Sequence, residues 1–368
     1  MKEVRLGVIG VGGMGTNHAQ NVEAGKVRGM RLTAVCDVNP KQLAKFNDTV
    51  KKFTDHRALL KSGEVDAVLI VSHHYAHTPI GIDALKAGVH VLVEKPISVH
   101  KADCQRLIAA HTHRKQVFAA MFNQRTDPRY QRIRTMIQAG ELGEFQRVNW
   151  ITTNWFRTET YYKSGSWRAT WEGEGGGVLM NQCPHQLDLL QWLCGMPTKV
   201  RAFCQFGQFH DIEVEDNVTA YLEYANGASG VFITTTGEAP GTNRLEICGT
   251  RGKIVVEEGN ILFTRNETPS DVFLKTSKAM FDGPPVWNVQ IPVEGKGGQH
   301  VEIMQNFADA ILDGAPLIAP AREGLHSVEL ANAMLLSSLT GKTVKLPISG
   351  PVFEKTLKGL IRKSKRGK

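Results

Sequence analysis

The sequence predicts an α/β fold in two parts, a doubly wound parallel sheet followed by an α+β part with a largely antiparallel open sheet. Over the first 125 residues, short apolar runs alternate with helical patterns at a spacing of about 30 residues. A glycine-rich turn directly follows the first apolar run. Beyond residue 125, strand-like segments joined by hairpin-like turns predominate. We therefore expect a domain at 1–125, a second domain at 126–345 and a basic C-terminal tail at 346–368.

The first part contains five apolar runs of strand length, and each is followed by a turn or a helical pattern. The predicted strands cover residues 4–10, 30–37, 65–72, 90–96 and 116–123. Helical patterns follow the first four strands, and one of them spans residues 39–53 with Asn39 as its cap and Pro40 in its first turn. This alternation requires crossover connections and therefore a parallel sheet covered on both faces.

The second part opens with a predicted helix at 129–139 and then changes to strands. The predicted strands cover residues 145–154, 199–209, 214–225, 228–236, 244–249 and 253–258. A helix at 181–193 interrupts them, and two more helices are predicted near 300–313 and 323–340. The segment 266–300, with its prolines and glycines, has the weakest pattern before the tail.

Composition and charge indicate an ordinary globular protein. The net charge of the 368 residues is +8, but seven basic residues and no acidic one lie within 355–368, which leaves +1 for the rest. We interpret this basic segment as a solvated or frayed end and expect no nucleic-acid partner. The six cysteines are scattered and form no CxxC pair, as is typical of reduced thiols. No signal peptide or membrane span is recognisable, so a cytoplasmic protein without a membrane partner is expected.

The turn after the first strand has the spacing of a dinucleotide-binding loop. The stretch "GVGGMG" supplies Gly10, Gly12 and Gly15, with Gly13 and Met14 between them. These glycines permit a tight turn, a close approach of the backbone to a pyrophosphate, and close packing of helix on strand. The free N–H groups of the helix that follows would face the phosphates.

The end of the second strand favours NAD over NADP. Asp37 stands there, 22 residues after Gly15. Its carboxylate can accept hydrogen bonds from the adenosine ribose hydroxyls and would repel the 2′-phosphate of NADP. No arginine follows closely, so NAD is the expected cofactor.

Two further strand ends are expected to lie at the same edge of the sheet. Glu94 and Lys95 end the fourth strand in "VEKP", and Ser72, His73 and His77 follow the third. Ligands of open α/β sheets bind at this edge. We expect all five residues at the cofactor, although a lysine before a turn can also be a plain surface residue. A zinc site at "SHHYAHTP" is disfavoured because its spacing is not a usual ligand pattern, and no metal is expected.

The predicted helix 181–193 carries three polar residues on one face of an otherwise apolar segment. Asn181, His185 and Asp188 follow one another at steps of four and three. Such a stripe can be a core network, a metal site or the acid–base end of an active site.

Several segments together resemble the Gfo/Idh/MocA family of oxidoreductases. They are "GVIGVGGMG", "HTPIGIDALKAGVHVLVEKP", "GELGEFQRV" and "EGGGVLMNQCPHQLDLLQWLCGMP", and the resemblance extends from residue 4 to about 340. It implies an N-terminal Rossmann domain, NAD, and hydride transfer between nicotinamide and a ring hydroxyl of a sugar, glycoside or cyclitol. It also implies a homodimer or homotetramer.

The same resemblance assigns roles to the polar residues. His185 would be the general acid/base, since the unperturbed pKa of histidine lies near physiological pH, and Lys95 would orient and polarise the substrate oxygen. Asp188 would hold His185 or make an interdomain contact. Many relatives carry Asp where this chain has Asn181, so Asn181 is expected to bind substrate hydroxyls without moving a proton.

Aromatic and polar residues outside these motifs complete the predicted site. The stretch "SGSWRATWEGEGGG" most resembles the branch that oxidises C3 of glucosides. Trp167 and Trp171 fit pocket and core equally well. The predicted substrate contacts are Asn123, Trp155, Trp167, Arg168 and Asn181, and Gln124 is a predicted cofactor contact.

Two rival functions stay open. A redox-neutral glycosidase would use the same first oxidation, eliminate the aglycone from a 3-keto intermediate and take its hydride back. It needs a second base near C2, which the sequence does not identify. The other rival is a non-catalytic NAD-binding regulator, against which the presence of both Lys95 and His185 argues.

Overall fold

Two sheets organise the molecule. The structure, a computed structural model, describes residues 2–364. The first sheet has six parallel strands in the order β3-β2-β1-β4-β5-β6. These strands are β1 Val4–Ile9, β2 Met30–Cys36, β3 Lys51–Phe53, β4 Ala67–Ile70, β5 His90–Val93 and β6 Phe118–Ala120. The predicted doubly wound parallel sheet is confirmed.

Helices connect the strands of the first sheet. They are α1 Gly13–Glu23, α2 Pro40–Leu43, α3 His56–Lys61, α4 His74–Lys86 and α5 Lys101–Ala109. The predicted helix 39–53 is wrong beyond its first turn. Asn39 does cap α2, but Asn47 Oδ1 accepts a hydrogen bond from Thr49 N and favours a turn there. Lys51–Phe53 then forms the edge strand β3.

The second sheet has nine strands and is antiparallel except where β7 pairs with β10. Its order is β14-β13-β12-β11-β7-β10-β9-β8-β15. The strands are β7 Phe145–Thr152, β8 Lys199–Phe206, β9 Glu215–Glu223, β10 Ser229–Thr235, β11 Asn243–Gly249, β12 Gly252–Glu257, β13 Asn260–Asn266, β14 Val286–Ile291 and β15 Val344–Lys345. The expected largely antiparallel sheet is confirmed.

The weakly patterned segment 266–300 adds an edge strand to this sheet. It contains β14 and the helix α9 Ser270–Thr276, and β14 pairs with β13. Four of the six β14 residues are exposed. A strand exposed on both faces has no apolar alternation, which is why the sequence pattern did not predict it.

The remaining helices cover the second sheet and join it to the first. They are α6 Pro128–Gln138, α7 Glu159–Lys163, α8 Pro184–Cys194, α10 Gln299–Asp313, α11 Gly324–Thr340 and α12 Gly350–Lys363. The helix α8 begins three residues later than predicted because Pro184 fits only the first turn of a helix. Asn181 therefore precedes the helix and is not part of a helical stripe with His185 and Asp188.

The expectation of a solvated or frayed C-terminus is wrong for residues 350–363. They form α12, which packs against α5 with Phe353 and Leu357 buried. Its apolar residues recur at helical spacing, and Arg362 and Lys363 lie in the last turn, where positive charge is favourable. The basic residues Lys365, Arg366 and Lys368 lie outside the described residues.

Two expectations about composition can be compared with the described part of the chain. All six cysteines are free thiols, four of them buried. None of the helices within residues 2–364 combines the length and apolar character that crossing a bilayer requires.

Candidate active site

The glycine-rich turn has the shape that a dinucleotide requires. Gly10 has φ +90°, and a Cβ on Gly15 would lie 1.9 Å from the carbonyl oxygen of Gly10. A Cβ on Gly12 or Gly13 would meet no protein atom within 4 Å. Gly10 and Gly15 thus serve the fold, whereas Gly12 and Gly13 leave open space at the N-terminus of α1. That space fits a pyrophosphate.

Asp37 closes this turn from the end of β2. Its Oδ2 accepts a hydrogen bond from Val11 N at 2.9 Å, and its Oδ1 accepts one from Asn39 N at 2.9 Å. A carboxylate oxygen can accept more than one hydrogen bond. The carboxylate is half-buried beside the turn, which fits the predicted contact with ribose hydroxyls.

Two of the histidines that follow β4 differ in their surroundings. His73 lies at the cleft, whereas His77 is buried. The His73 ring stacks on Trp167 with centroids 4.6 Å apart. The buried ring of His77 has Nδ1 2.8 Å from Pro96 O and Nε2 2.9 Å from Ser72 O. Both His77 nitrogens face carbonyl oxygens, to one of which the neutral ring can donate. The cofactor contact expected of His77 stays a prediction.

Lys95 connects the end of β5 with the second domain. Its Nζ donates a hydrogen bond to the carbonyl oxygen of Asn181 at 3.2 Å. Burial lowers the pKa of Lys95, while the nearby carboxylates of Glu94 and Glu174 act to raise it. An ammonium has three N–H donors, so two more are available to a ligand.

Glu94 is held below this lysine. Its Oε1 lies 2.8 Å from His18 Nε2, and its Oε2 accepts a hydrogen bond from Lys95 N. Burial acts to raise the pKa of Glu94, but the hydrogen bond and charge of His18 and the charge of Lys95 lower it to about 2. Glu94 is thus a buried anion under Lys95, with its hydrogen bonds directed to protein.

His185 lies in the first turn of α8 and is only 7% exposed. Its ring meets the ring of Phe122 edge-on, with centroids 6.2 Å apart. Burial, together with the charge of Lys95, lowers the pKa of His185 well below its ordinary value. The unperturbed pKa of histidine lies near physiological pH, but this imidazole is buried beside a cation and is therefore neutral there. Its neutral form is the one that accepts a proton.

The hydrogen bonds of Asp188 go to Arg125 and Gln191 and not to His185. Arg125 Nε and Nη2 donate to the two oxygens of Asp188 at 2.7 and 2.6 Å, and both side chains are buried. Arg125 also pairs with Glu323. Of the two roles expected for Asp188, the structure shows the contact between the two parts of the chain.

Several side-chain atoms around this edge are buried and without a hydrogen-bond partner among the described residues, and three of them bear on ligand binding. These three are Ser72 Oγ, Asn123 Oδ1 and His185 Nδ1. Buried polar atoms are normally paired. The open space at Gly12 and these unpaired atoms therefore fit a bound polar ligand such as NAD and a polyol.

Asn123 and Gln124 form a 3-10 turn, 123–126, after β6. Asn123 Nδ2 donates to Gln299 Oε1 at 2.7 Å, and Gln124 Oε1 accepts from Gln186 Nε2 at 3.2 Å. Both residues link the first sheet to elements of the second domain beside His185.

The aromatic loop before α8 supplies one wall of the cleft. The Arg168 guanidinium lies 4.5 Å from the ring centroids of both Trp167 and Tyr161. Trp171 is 5% exposed, so of the two roles left open for it the structure shows a core residue. Trp155 stacks under Arg157 at 5.6 Å and keeps a buried Nε1 without a partner within residues 2–364.

Three residues near the site were not predicted. Glu174 is 2% exposed and contacts the side-chain amide of Asn181. His18 and His300 face each other with ring centroids 5.3 Å apart beside Glu94. Only Glu174 carries a signal in the sequence, since it directly precedes three glycines. The contacts of His18 and His300 join distant segments that local patterns cannot connect.

No metal centre is evident in this part of the chain. Residues 2–364 hold no group of three or more His, Cys, Asp or Glu side chains that could bind a metal ion. The rings of His74 and His77 are tilted with centroids 6.1 Å apart, and His74 Nδ1 lies 3.2 Å from the carbonyl oxygen of Glu174.

Comparison with known proteins matches both parts of the chain. The family model "Oxidoreductase family, NAD-binding Rossmann fold" matches residues 4–122, and the model "GFO/IDH/MocA C-terminal domain" matches residues 130–255. An uncharacterized oxidoreductase, YrbE, of Bacillus subtilis is 25% identical over 94% of this chain and 97% of its own. The myo-inositol 2-dehydrogenase of Thermotoga maritima is 26% identical over 93% of this chain and 98% of its own.

A solved structure has the same fold over nearly the whole length. It is the WlbA dehydrogenase from Bordetella pertussis in complex with NADH and UDP-GlcNAcA. It is 25% identical, covers 94% of this chain and 100% of its own, and superposes with a TM-score of 0.78.

Proposed function

Because the chain belongs to the GFO/IDH/MocA oxidoreductase family and is an NAD-dependent enzyme, we propose that it oxidises a secondary ring hydroxyl of a sugar, glycoside or cyclitol. The preferred position is C3 of a pyranoside. The observation that carries this proposal is the meeting of Lys95 with the segment Asn181–His185. Lys95 Nζ donates to Asn181 O, and its charge acts on His185. A cation and a neutral base side by side suit alcohol oxidation.

The cofactor side of the cleft follows from the glycine-rich turn. Gly12, Gly13 and the N-terminus of α1 would hold the pyrophosphate, and Asp37 the adenosine ribose. Ser72 Oγ, which lacks a partner among residues 2–364, is available to the nicotinamide half. When bound, NAD supplies the acceptor for the hydride.

The protein residues handle the proton and the oxygen. The neutral His185 takes the hydroxyl proton as the ring C–H hydrogen leaves with its electron pair, and a carbonyl forms. The two free N–H groups of Lys95 orient the hydroxyl oxygen and stabilise negative charge that develops on it. In the reverse direction, the protonated His185 returns the proton to the oxygen.

The wall of the cleft supports a cyclic substrate. Trp167 and Trp155 are half-buried aromatic residues with polar groups next to them, and ring faces of this kind suit the C–H faces of a pyranose or cyclitol. Myo-inositol dehydrogenase activity, named for the Thermotoga maritima relative, is consistent with this class of substrate.

We also propose that the two parts of the chain have different roles. In addition, we propose that the protein forms a homodimer or homotetramer. Residues 1–125 would bind NAD, and residues 126–345 would bind substrate and associate. Phe203 and Tyr221 are 57% and 46% exposed on the outer face of the second sheet. They share this face with Arg201 and Thr219, and exposed aromatic residues beside an arginine are common in protein interfaces. Sedimentation analysis tests the proposed oligomer, since a monomer at micromolar concentration would contradict it.

The test of the function is turnover of a panel of glucosides, hexoses and inositols with NAD. We expect formation of NADH together with a ketone product from at least one member. Release of free aglycone without net NADH would instead indicate the redox-neutral glycosidase. No reaction with any cyclic polyol would contradict the proposal.

A further inference from the structure

One buried carboxylate near the site has no part in the proton transfer. Glu174 is 2% exposed in the loop that leads to α8. Its Oε2 accepts a hydrogen bond from Ala169 N at 2.6 Å, and Ala169 has φ +51°, which is unusual for a residue other than glycine. Its Oε1 contacts the side-chain amide of Asn181. Both oxygens of Glu174 are therefore directed to specific partners.

Asn181 links this carboxylate to Lys95. The side chain of Asn181 contacts Glu174, and its carbonyl oxygen accepts the hydrogen bond from Lys95 Nζ. Burial raises the pKa of Glu174, whereas Asn181, Arg168 and Lys95 act to lower it. The three residues thus form one polar chain, with Asn181 half-buried in its middle.

The carboxylate decides which way the Asn181 amide points. An ionised carboxylate only accepts hydrogen bonds, so the amide nitrogen must face Glu174. The amide oxygen, Oδ1, then points away from Glu174. Within residues 2–364 no donor is recorded for that oxygen, and it is not among the buried unpaired atoms.

We propose that Glu174 is a positioning residue that fixes Asn181 with its oxygen toward the substrate. That oxygen accepts a hydrogen bond from a hydroxyl next to the reacting one, so the substrate class is a vicinal diol on a ring. The inference rests on the proposed function. Lys95 and His185 contact the reacting hydroxyl of the substrate, and Asn181 contacts the neighbouring hydroxyl.

Exchanging the carboxylate of Glu174 with the amide of Asn181 tests this arrangement. In E174Q, the Gln oxygen must face Ala169 N, so its NH₂ faces Asn181 and the Asn181 amide has to flip. The substrate then meets a donor in place of an acceptor, and we expect KM to rise about tenfold with a smaller change in kcat. In E174Q/N181D, the carboxylate introduced at position 181 accepts from the Gln and again presents an oxygen, so KM should return to within about threefold of wild type.

Two further variants complete the series. N181D alone places two carboxylates in contact, which should raise KM and make it depend on pH near neutrality. E172Q is the matched control in the same loop, because Glu172 is exposed and should leave KM unchanged. Thermal unfolding and NADH fluorescence titration show which variants are folded and bind cofactor.

The wild-type enzyme provides a test that does not depend on the folding of a variant. A substrate analogue that lacks the hydroxyl on either neighbouring carbon should show a KM about tenfold higher at one of the two positions. Equal KM values for both deoxy analogues, an unchanged KM in E174Q, or an unrescued double variant would overturn the inference. Absence of any turnover by the wild-type enzyme would instead overturn the proposed function itself.

Discussion

At the scale of single residues, the central feature of the candidate site is a histidine that burial keeps neutral. His185 is 7% exposed, its pKa is lowered well below its ordinary value, and Lys95 lies beside it. We expect H185N to lower kcat by roughly 10²–10⁴-fold, because the proton acceptor is lost. Steady-state kinetics on an active substrate and NADH fluorescence titration measure the effect.

A matched variant separates chemistry from folding in that experiment. H113N changes an exposed histidine and should keep the activity of the wild-type enzyme. H185N should keep its affinity for NADH, since no contact of His185 holds the nucleotide turn. If H185N turned over substrate at the wild-type rate, His185 would not be the proton acceptor.

The pH dependence of oxidation follows from the two lowered pKa values. Oxidation needs neutral His185, so kcat/KM should fall only below a pH that lies under about 6.5, the ordinary value for histidine. It also needs protonated Lys95, so the rate should fall again at a pH under about 10.4. The pH profile of kcat/KM measures both limbs, and K95R should move the basic limb to higher pH. An acid limb above pH 7 would contradict the lowered pKa of His185.

At this scale, sequence motifs predicted three residues that the structure brings together, but not the residues that surround them. Lys95, His185 and Asn181 follow from local motifs, and the structure brings them together. The neutral state of His185 depends on burial between two domains, which no local pattern records. Glu174 directly precedes three glycines in the sequence, but that position alone does not show that its carboxylate is buried.

At the scale of elements, the glycine-rich turn contains glycines that the fold requires and others that only cofactor binding requires. A Cβ on Gly12 meets no protein atom within 4 Å, so G12A should fold with wild-type stability. The added methyl group would lie where the pyrophosphate approaches, and we expect the affinity for NAD to fall at least about tenfold. Isothermal titration with NAD and thermal unfolding of the free protein measure the two properties.

Two other glycines make the comparison informative. G15A should prevent folding, because its Cβ would lie 1.9 Å from Gly10 O. G283A adds a methyl group in open space far along the chain and should change neither property. Wild-type NAD affinity in G12A would show that the cofactor does not approach this turn.

The basic charge of the C-terminal segment suggested a solvated end, but its residues form the packed helix α12. Phe353 is 1% exposed against α5, so F353A should lower the free energy of unfolding by about 3–5 kcal/mol. V352A, at a residue 53% exposed, should cost less than about 0.5 kcal/mol. Urea denaturation measures both, and equal stabilities would mean that α12 does not pack on the molecule.

The remaining elements show where sequence patterns succeed. Strands buried in the first sheet and the alternating strands of the second follow from apolar periodicity. The short helix α3 and the exposed edge strand β14 lack that periodicity and were not predicted. Pro184 marks the start of α8, because proline fits the first turn of a helix, whereas the predicted helix begins at residue 181.

At the scale of the whole molecule, buried ion pairs join the two parts of the chain. Arg125 holds Asp188 across 63 residues of sequence, and Lys101 at the start of α5 holds Glu329 of α11 with Nζ and Oε1 2.6 Å apart. Breaking such a buried pair leaves an unpaired charge. These contacts fix α8, and with it His185, against the edge of the first sheet that carries Lys95.

The domain arrangement itself could be anticipated only in outline. The alternation of strands and helices and the later antiparallel pattern predicted two sheets. The pairing of Arg125 with Asp188 and of Lys101 with Glu329 joins residues too far apart in sequence for a local pattern to connect. The candidate site lies where these long-range contacts join the two parts of the chain.

The most direct test of the central claim follows the hydrogen on the ring carbon. Glucosides and inositols with deuterium on their ring carbons would be incubated with the protein and NAD, and the cofactor analysed by mass spectrometry. Hydride transfer from a secondary ring alcohol predicts NADH one mass unit heavier than the unlabelled cofactor, and a substrate labelled only at C3 should give the same result. NADH without deuterium, or no NADH from any of these compounds, would contradict the account.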